Sequence, residues 1–511
     1  MKFGNDKSNT DRENIKSAQS VIVIGAGFGG ISTALRLKAR GYEVSLIDRL
    51  NYIGGRAQVF ERGGFRHDAG PTVITAPFLL QELFELFSEK IEDYINIVPL
   101  DTWYNFYFHD GRSFNYYRDL DKTKDEIAKF NPSDVEGYDA LLRDSKNIFD
   151  VGFSQLADQP FVNFSKMIEQ IPKLLKLKSY LTVSQLVRKH IKDEHIRRAF
   201  SIHPLLVGGN PFSTTSIYAL IHYLERQWGV HFCMGGTGKL VNELRDLMLR
   251  NGVKIELGRQ IDEIIIENNR ATAIKDTNGN QTTADIVVFG GDAPYAYEKM
   301  LPPNLNRQFI RKPNKLTKYS MGMFVLYFGA RKTWPNVAHH TIWLSARFKE
   351  LLKDIFDNHI LGEDFSIYLH RPTATDKSFA PPNCDSFYAL CPLPNLQASI
   401  NWETEGQKLR DRIIAALDQT ILPGIKDTIT DDFWMTPEDF EKNYLSKYGA
   451  GFSISPIFSQ SAYFRFHNRD PQIKNLYFTG AGTHPGAGLP GVISSAKIVE
   501  KLIVEDNLNL I

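Results

Sequence analysis

The sequence predicts an α/β protein with three parts: a parallel-stranded domain gathered from separated stretches of chain, a mixed-sheet domain, and a helical insert. Three observations carry this. A short apolar run, Val21-Ile22-Val23-Ile24, stops at a glycine-rich turn and gives way to a helical pattern and a second strand. A second glycine-rich loop lies near the C-terminus, between a strand and a helix. Between the two, a long stretch repeats its apolar residues at steps of three and four.

Taken in order, Val21 to Ile24 is continuous and apolar, as expected of a parallel strand covered on both faces. Ile31, Ala34, Leu35 and Leu37 then keep helical spacing until Gly41, and Glu43 to Asp48 reads as the next strand, completing a βαβ unit. From about residue 120 to 229 the pattern is mainly helical, clearest in Val135 to Phe149 and Phe161 to Leu177. Val253 to Phe289 holds short β-rich runs, including Ile261 to Ile266, with Asn278-Gly279 suited to a tight hairpin turn. Residues 315–330 and 365–370 read as strands of another sheet. Leu476-Tyr477-Phe478 is a strand, and Gly491 to Ile503 a helix. The expected organisation is a discontinuous nucleotide domain over 20–90, 230–300 and 470–511, a substrate domain over 91–120 and 301–469, and an insert over 121–229.

A chain of 511 residues needs two or three cores. Hydrophobic residues at 42% and charged residues at 23% belong to an ordinary globular protein rather than a disordered one. Sixty basic against fifty-nine acidic side chains leave a formal charge of +1, so no global field favours nucleic acid. Cys233, Cys384 and Cys391 lack disulfide or zinc spacing and fit a reducing compartment. The polar first twenty residues do not look like a secretory signal, and no run of eighteen apolar residues suggests a spanning helix, so a cytoplasmic protein is expected.

Gly25-Ala26-Gly27-Phe28-Gly29-Gly30 fits G-x-G-x-x-G at the junction of strand and helix, where backbone N–H groups and the helix dipole hold a pyrophosphate. Asp48, eighteen residues after Gly30, can accept from ribose hydroxyls, and Arg49 follows it. That fingerprint serves NAD and FAD alike. Gly54-Gly55-Arg56 and Asp68-Ala69-Gly70-Pro71-Thr72 come next, and the late loop from Thr479 to Gly491 includes Gly480 and Gly482. A helix beginning near Gly491-Val492 would aim its positive end at the pyrimidine edge of a flavin, where charge gathers on reduction; this favours FAD. Pro71, Thr72 and Ile261 are counted with these as cofactor contacts. No Ser-His-Asp order, paired carboxylates or ligand cluster is legible. His484 in the late loop is the one candidate for a catalytic group, against a backbone-capping role. His203 and Glu225 read as structural, and His339-His340, adjacent along the chain, give no expectation of a metal.

The GGR segment resembles the signature of flavoproteins in the amine oxidase and carotenoid desaturase group. The passages GRAQVFERGGFRHDAGPTVIT, Ile202 to Phe212, GVHFCMGGTGKL and LYFTGAGTHPGAGLPGVISSAK are similar to those of bacterial phytoene desaturases, and the likeness runs from Val21 to Lys497. The charged arm before Val21 is a departure. The resemblance implies a Rossmann-like FAD-binding domain of the glutathione reductase type, a mixed-sheet substrate domain and a helical membrane-facing insert. It implies stepwise desaturation of phytoene, usually to lycopene, by hydride transfer to FAD. The sequence does not fix the acceptor that reoxidises the flavin; oxygen and a quinone are the candidates. Such a polyene offers no polar handle, so recognition must rest on apolar burial in a tunnel. A lipid-soluble substrate also favours peripheral contact with the inner membrane. The apolar stripe Phe161, Val162, Phe164, Met167, Ile168, Ile171, Leu174 and Leu175, with Lys166, Lys173, Lys176 and Lys178, suits a bilayer interface, although Pro172 interrupts it. The alternatives are another carotenoid-modifying flavoenzyme of this fold (a shorter-chain desaturase, oxygenase or isomerase), an amine oxidase, and a non-enzymatic prenyl-binding protein resembling the GDP dissociation inhibitors.

Overall fold

The computed structural model describes residues 19–160, 169, 172, 175–302 and 316–508. Strand β1 (Ser20–Ile24), helix α1 (Phe28–Ala39) and strand β2 (Glu43–Ile47) form the expected βαβ unit. β1 is the centre of a five-stranded parallel sheet in the order Leu476–Phe478, Ile286–Phe289, β1, β2, Lys254–Glu256. Both faces are covered, which is why β1 is apolar from Val21 to Ile24. Val21 and Val23 pack with Ile31 and Leu35 of α1 and with Ile493, Ile498 and Leu502 of the C-terminal helix. Ile22 and Ile24 point the other way, onto Ile264 and Ile274 of a three-stranded antiparallel meander. Gly279 has φ of 86° and donates to the Asp276 carbonyl, so the Asn278-Gly279 turn falls where the sequence puts it.

The second sheet has seven strands in the order Ile429–Met435, Gly322–Ala330, Asp385–Leu393, Ile367–His370, His340–Leu344, Thr102–Phe108, Ser113–Tyr117. Its neighbours are antiparallel except for His340–Leu344 beside Thr102–Phe108, so the sheet is mixed. Strands from before and after the helical stretch thus share one hydrogen-bonded surface.

Helices Leu120–Phe130, Asp134–Gly152, Val183–His190, Glu194–Ser201 and Leu220–Trp228 make up the described part of the insert. Their starts follow local chemistry: Asp119 accepts from Lys122 N–H, Asp193 from His195 and Ile196 N–H, and Thr182 with Gln185 forms a reciprocal capping box. Fully buried Asp134 accepts from the backbone N–H of Lys192 and Asp193 at 2.8 and 2.7 Å, tying two helices together. Most of the predicted stripe from Phe161 to Leu174 lies outside the described residues; Leu175 and Tyr180, at its edge, are exposed. Among the described residues, no helix is long and apolar enough to cross a membrane.

Candidate active site

One apolar cavity of about 600 Å³ runs between the parallel sheet, the mixed sheet and the insert. Its wall includes Gly25, Gly27, Phe28, Gly29, Asp48, Arg49, Gly54, Gly55, Arg56, Pro71, Thr72, Ile261, Gly480, Gly482, Gly491 and Val492, and the candidate His484. Turns more than four hundred residues apart in sequence therefore meet: a Cβ on Gly29 would lie 3.1 Å from the Gly480 Cα. Ala26 and Gly30 stand just behind the wall. Ala26 N–H donates to Asp48 at 2.6 Å. Gly30 packs so tightly that a Cβ would come within 1.8 Å of the Gly25 carbonyl oxygen.

At the N-terminal end, Asp48 takes N–H groups of Ala26 and Leu50 on its two oxygens, and burial raises its pKa against those bonds. With Arg49 N–H also acting on it, the carboxylate has an acceptor site left for a hydroxyl donor. Arg49 is anchored to the carbonyls of Lys442 and Asn443, both at 2.7 Å. Arg56 makes a single 3.1 Å bond to Ser446, and its buried Nε has no partner. Burial pulls its pKa down while Asp292 opposes. A half-paired guanidinium beside open glycine backbone, where a Cβ on Gly27 would meet nothing within 4 Å, is a built anion site that fits a pyrophosphate.

The late loop is held from beneath. Arg465, 1% exposed, donates to the carbonyls of Thr483 at 3.0 Å, Ala481 at 2.6 Å, Ile454 at 3.2 Å and Gln460 at 3.4 Å. Ser495 accepts from Gly480 N–H at 2.9 Å, joining the loop to the helix Leu489–Leu508, which begins two residues before the expected Gly491 and presents its first turn to the cavity. His484 lies in the wall with Nε2 3.3 Å from the Leu156 carbonyl, and burial lowers its pKa to about 4, so it is neutral.

Several wall residues escape the sequence reading. Gly290-Gly291-Asp292 follows the strand Ile286–Phe289 and enters the wall beside the first turn; a glycine pair closing an apolar run was the available signal. Thr72 bonds Tyr388 at 2.7 Å and Tyr368 at 3.0 Å, and Tyr368 bonds His340 Nδ1 at 2.7 Å. His370, paired across strands with His340, joins His339 in a buried group whose ligand atoms lie within 4.8 Å of one another. Chain adjacency alone conceals this. The group holds no carboxylate, and burial keeps all three imidazoles in the neutral form, which is the form that can ligate a metal.

This fold and this cavity define a flavin-binding oxidoreductase. The model of the flavin-containing amine oxidoreductase family matches residues 28–499. A phytoene desaturase (lycopene-forming) from Pseudescherichia vulneris is 44% identical over 96% of this chain and 99% of its own, and one from Pantoea ananas is 43% identical over 95% and 99%. An oxidoreductase structure from Methanosarcina mazei shares the fold, with a TM-score of 0.64 and 16% identity over 95% of this chain and 100% of that one. The chain belongs to the flavin-containing amine oxidoreductase family and, within it, to the bacterial phytoene desaturases. FAD is its cofactor.

Proposed function

We propose that this protein desaturates phytoene to lycopene. The observation that carries the reading is the apolar cavity on which the glycine-rich turns at Gly25–Gly30, Gly54–Arg56 and Gly480–Val492 converge. Support comes from relatives that carry that activity in their names at 43% and 44% identity. FAD, when bound, supplies the two-electron acceptor that breaking an allylic C–H bond requires. The backbone of Gly25, Gly27 and Gly29 with Arg56 would hold its pyrophosphate, Asp48 its ribose, and the Gly480–Val492 loop its ring; a glutathione reductase type of nucleotide domain suits these separated contacts. The apolar remainder of the cavity, with Leu205, Leu206, Leu220 and Leu224 from the insert side, orients a substrate that offers only surface to bury.

The substrate dissolves in lipid, so the insert is assigned to the inner-membrane face, with exposed Leu175 and Tyr180 beside the lysine-flanked stripe. Oxygen or a quinone reoxidises the flavin. The test supplies phytoene in liposomes to FAD-loaded protein, with oxygen or quinone admitted or excluded. Long-wavelength polyene bands are expected, and an unchanged polyene under every condition would discard the reading.

A further inference from the structure

Three carboxylates border the cavity: Asp48, Asp292 and Glu225. Asp48 and Asp292 stand at the glycine-rich turns. Asp292 is engaged by Lys447 N–H at 3.0 Å and by Ser453 at 2.5 Å. Glu225 is different. It projects from the helix Leu220–Trp228 of the insert, is 0% exposed to solvent, and lies among the apolar residues Ile221 and Leu224 of the same wall.

A hydrocarbon substrate has no polar atom for a carboxylate to recognise, and burying one in an apolar wall is costly unless it is well bonded. Glu225 is well bonded. Tyr104 O–H donates to Oε1 at 2.8 Å, and His203 Nε2 lies 2.9 Å from Oε2. One donor on each oxygen leaves each a second lone pair, so the group is held in place and still able to accept a proton. The adjacent Arg226 does not neutralise it. That guanidinium is turned onto the rings of Trp103 and Tyr116, at 4.2 and 4.5 Å, and bonds Tyr138. A relay of side chains runs from Glu225 through Tyr104 toward Thr72. The ring of Tyr104 lies 5.8 Å from that of His340, which reaches Thr72 through Tyr368.

We propose that Glu225 is the base that takes the proton lost from the polyene, with Tyr104 and His203 as the residues that position it. This rests on the desaturase reading. Each new double bond costs the substrate two hydrogens. One leaves with its electron pair to the flavin oxidant. The C–H electrons of the neighbouring carbon form the second bond between the two carbons, and that carbon's proton passes to the Glu225 carboxylate, which becomes the neutral acid. The titratable groups around Glu225 are Tyr104, His203, His222, whose ring lies 4.2 Å from that of His203, Arg226, and the phenols Tyr116 and Tyr138, which feel its charge. Burial holds His222 neutral.

The experiment compares FAD-loaded wild type, Glu225→Gln and Tyr104→Phe on phytoene liposomes, measuring FAD content, Tm, KM and kcat against pH. A wild type that leaves phytoene unchanged would refute the desaturase reading itself. With an active wild type, Glu225→Gln is expected to keep FAD, Tm and KM while kcat falls by about 10²- to 10⁴-fold, the usual share of a general base. Tyr104→Phe removes a donor to the carboxylate, so the acid limb of kcat should move to higher pH, a shift that a structural role would not produce. A kcat for Glu225→Gln within about ten-fold of wild type would overturn the proposal. Should that variant lose FAD or its fold, an acid limb of Tyr104→Phe at the wild-type position would overturn it instead.

Discussion

Two neighbouring glycines should fail for opposite reasons when replaced by alanine. Gly27 has φ −76° and ψ 176°, a conformation open to alanine, and its Cβ would meet no protein atom within 4 Å. Gly27→Ala should leave the Tm of the apoprotein unchanged. If the pyrophosphate lies against this backbone, the added methyl pushes it off and weakens about two charge-assisted hydrogen bonds. At roughly 1.5–3 kcal/mol each, that is a rise in FAD Kd of about 10²- to 10⁴-fold. Gly30→Ala is the contrast. Its Cβ would lie 1.8 Å from the Gly25 oxygen, so the turn itself must shift by about 1 Å or more, and both FAD affinity and apoprotein Tm should fall. Thermal scans of apoprotein and titration of FAD by flavin fluorescence measure both quantities. Gly27→Ala protein with the wild-type Kd would refute the placement of the phosphates.

Arg56→Met removes the half-paired guanidinium from the wall, and flavin titration should show FAD binding weakened by about ten- to a hundred-fold, the loss of one charge-assisted contact. Asp68 is buried with its carboxyl pushed up to about 7, above the ordinary 3.8, chiefly by burial. A raised carboxyl pKa costs stability as pH rises from about 4 to 7, by up to about 4 kcal/mol. Asp68→Asn should therefore match wild type in Tm near pH 4 and exceed it near pH 8; equal Tm values throughout would contradict this. Replacing Lys166, Lys173, Lys176 and Lys178 together by Gln should weaken sedimentation with anionic liposomes by about 10²- to 10³-fold, at roughly 1 kcal/mol for each lysine near the surface. Unchanged binding would remove the stripe from the membrane account.

The parts of the site that the sequence revealed are those whose chemistry is local. Gly25 to Gly30 between strand and helix, Asp48 just after β2, and the loop from Gly480 are legible as short motifs, and the structure brings them to one cavity wall. Their meeting was legible only through resemblance, since nothing in the spacing of Gly29 and Gly480 requires contact. Arg465 was invisible: its four carbonyl partners are fixed by the path of the late loop rather than by neighbours in the chain. His370 joins His339 and His340 only through strand register. Glu225 read as a structural residue because, along a helix, a carboxylate facing a cavity looks the same as one facing water. The helix start at Leu489 rather than Gly491 is a boundary that glycine blurs, since it is both a weak helix former and a tolerated first-turn residue.

The central claim is that one flavin lies where the early and late glycine-rich turns meet, with its ring open to the apolar cavity. Anaerobic mixing of FAD-loaded protein with phytoene liposomes tests this most directly, by following the oxidised-flavin absorption band. The band is expected to bleach as conjugated polyene bands rise in step with it, one flavin reduced for each double bond formed. A flavin band that stays unbleached while the phytoene remains colourless would contradict it.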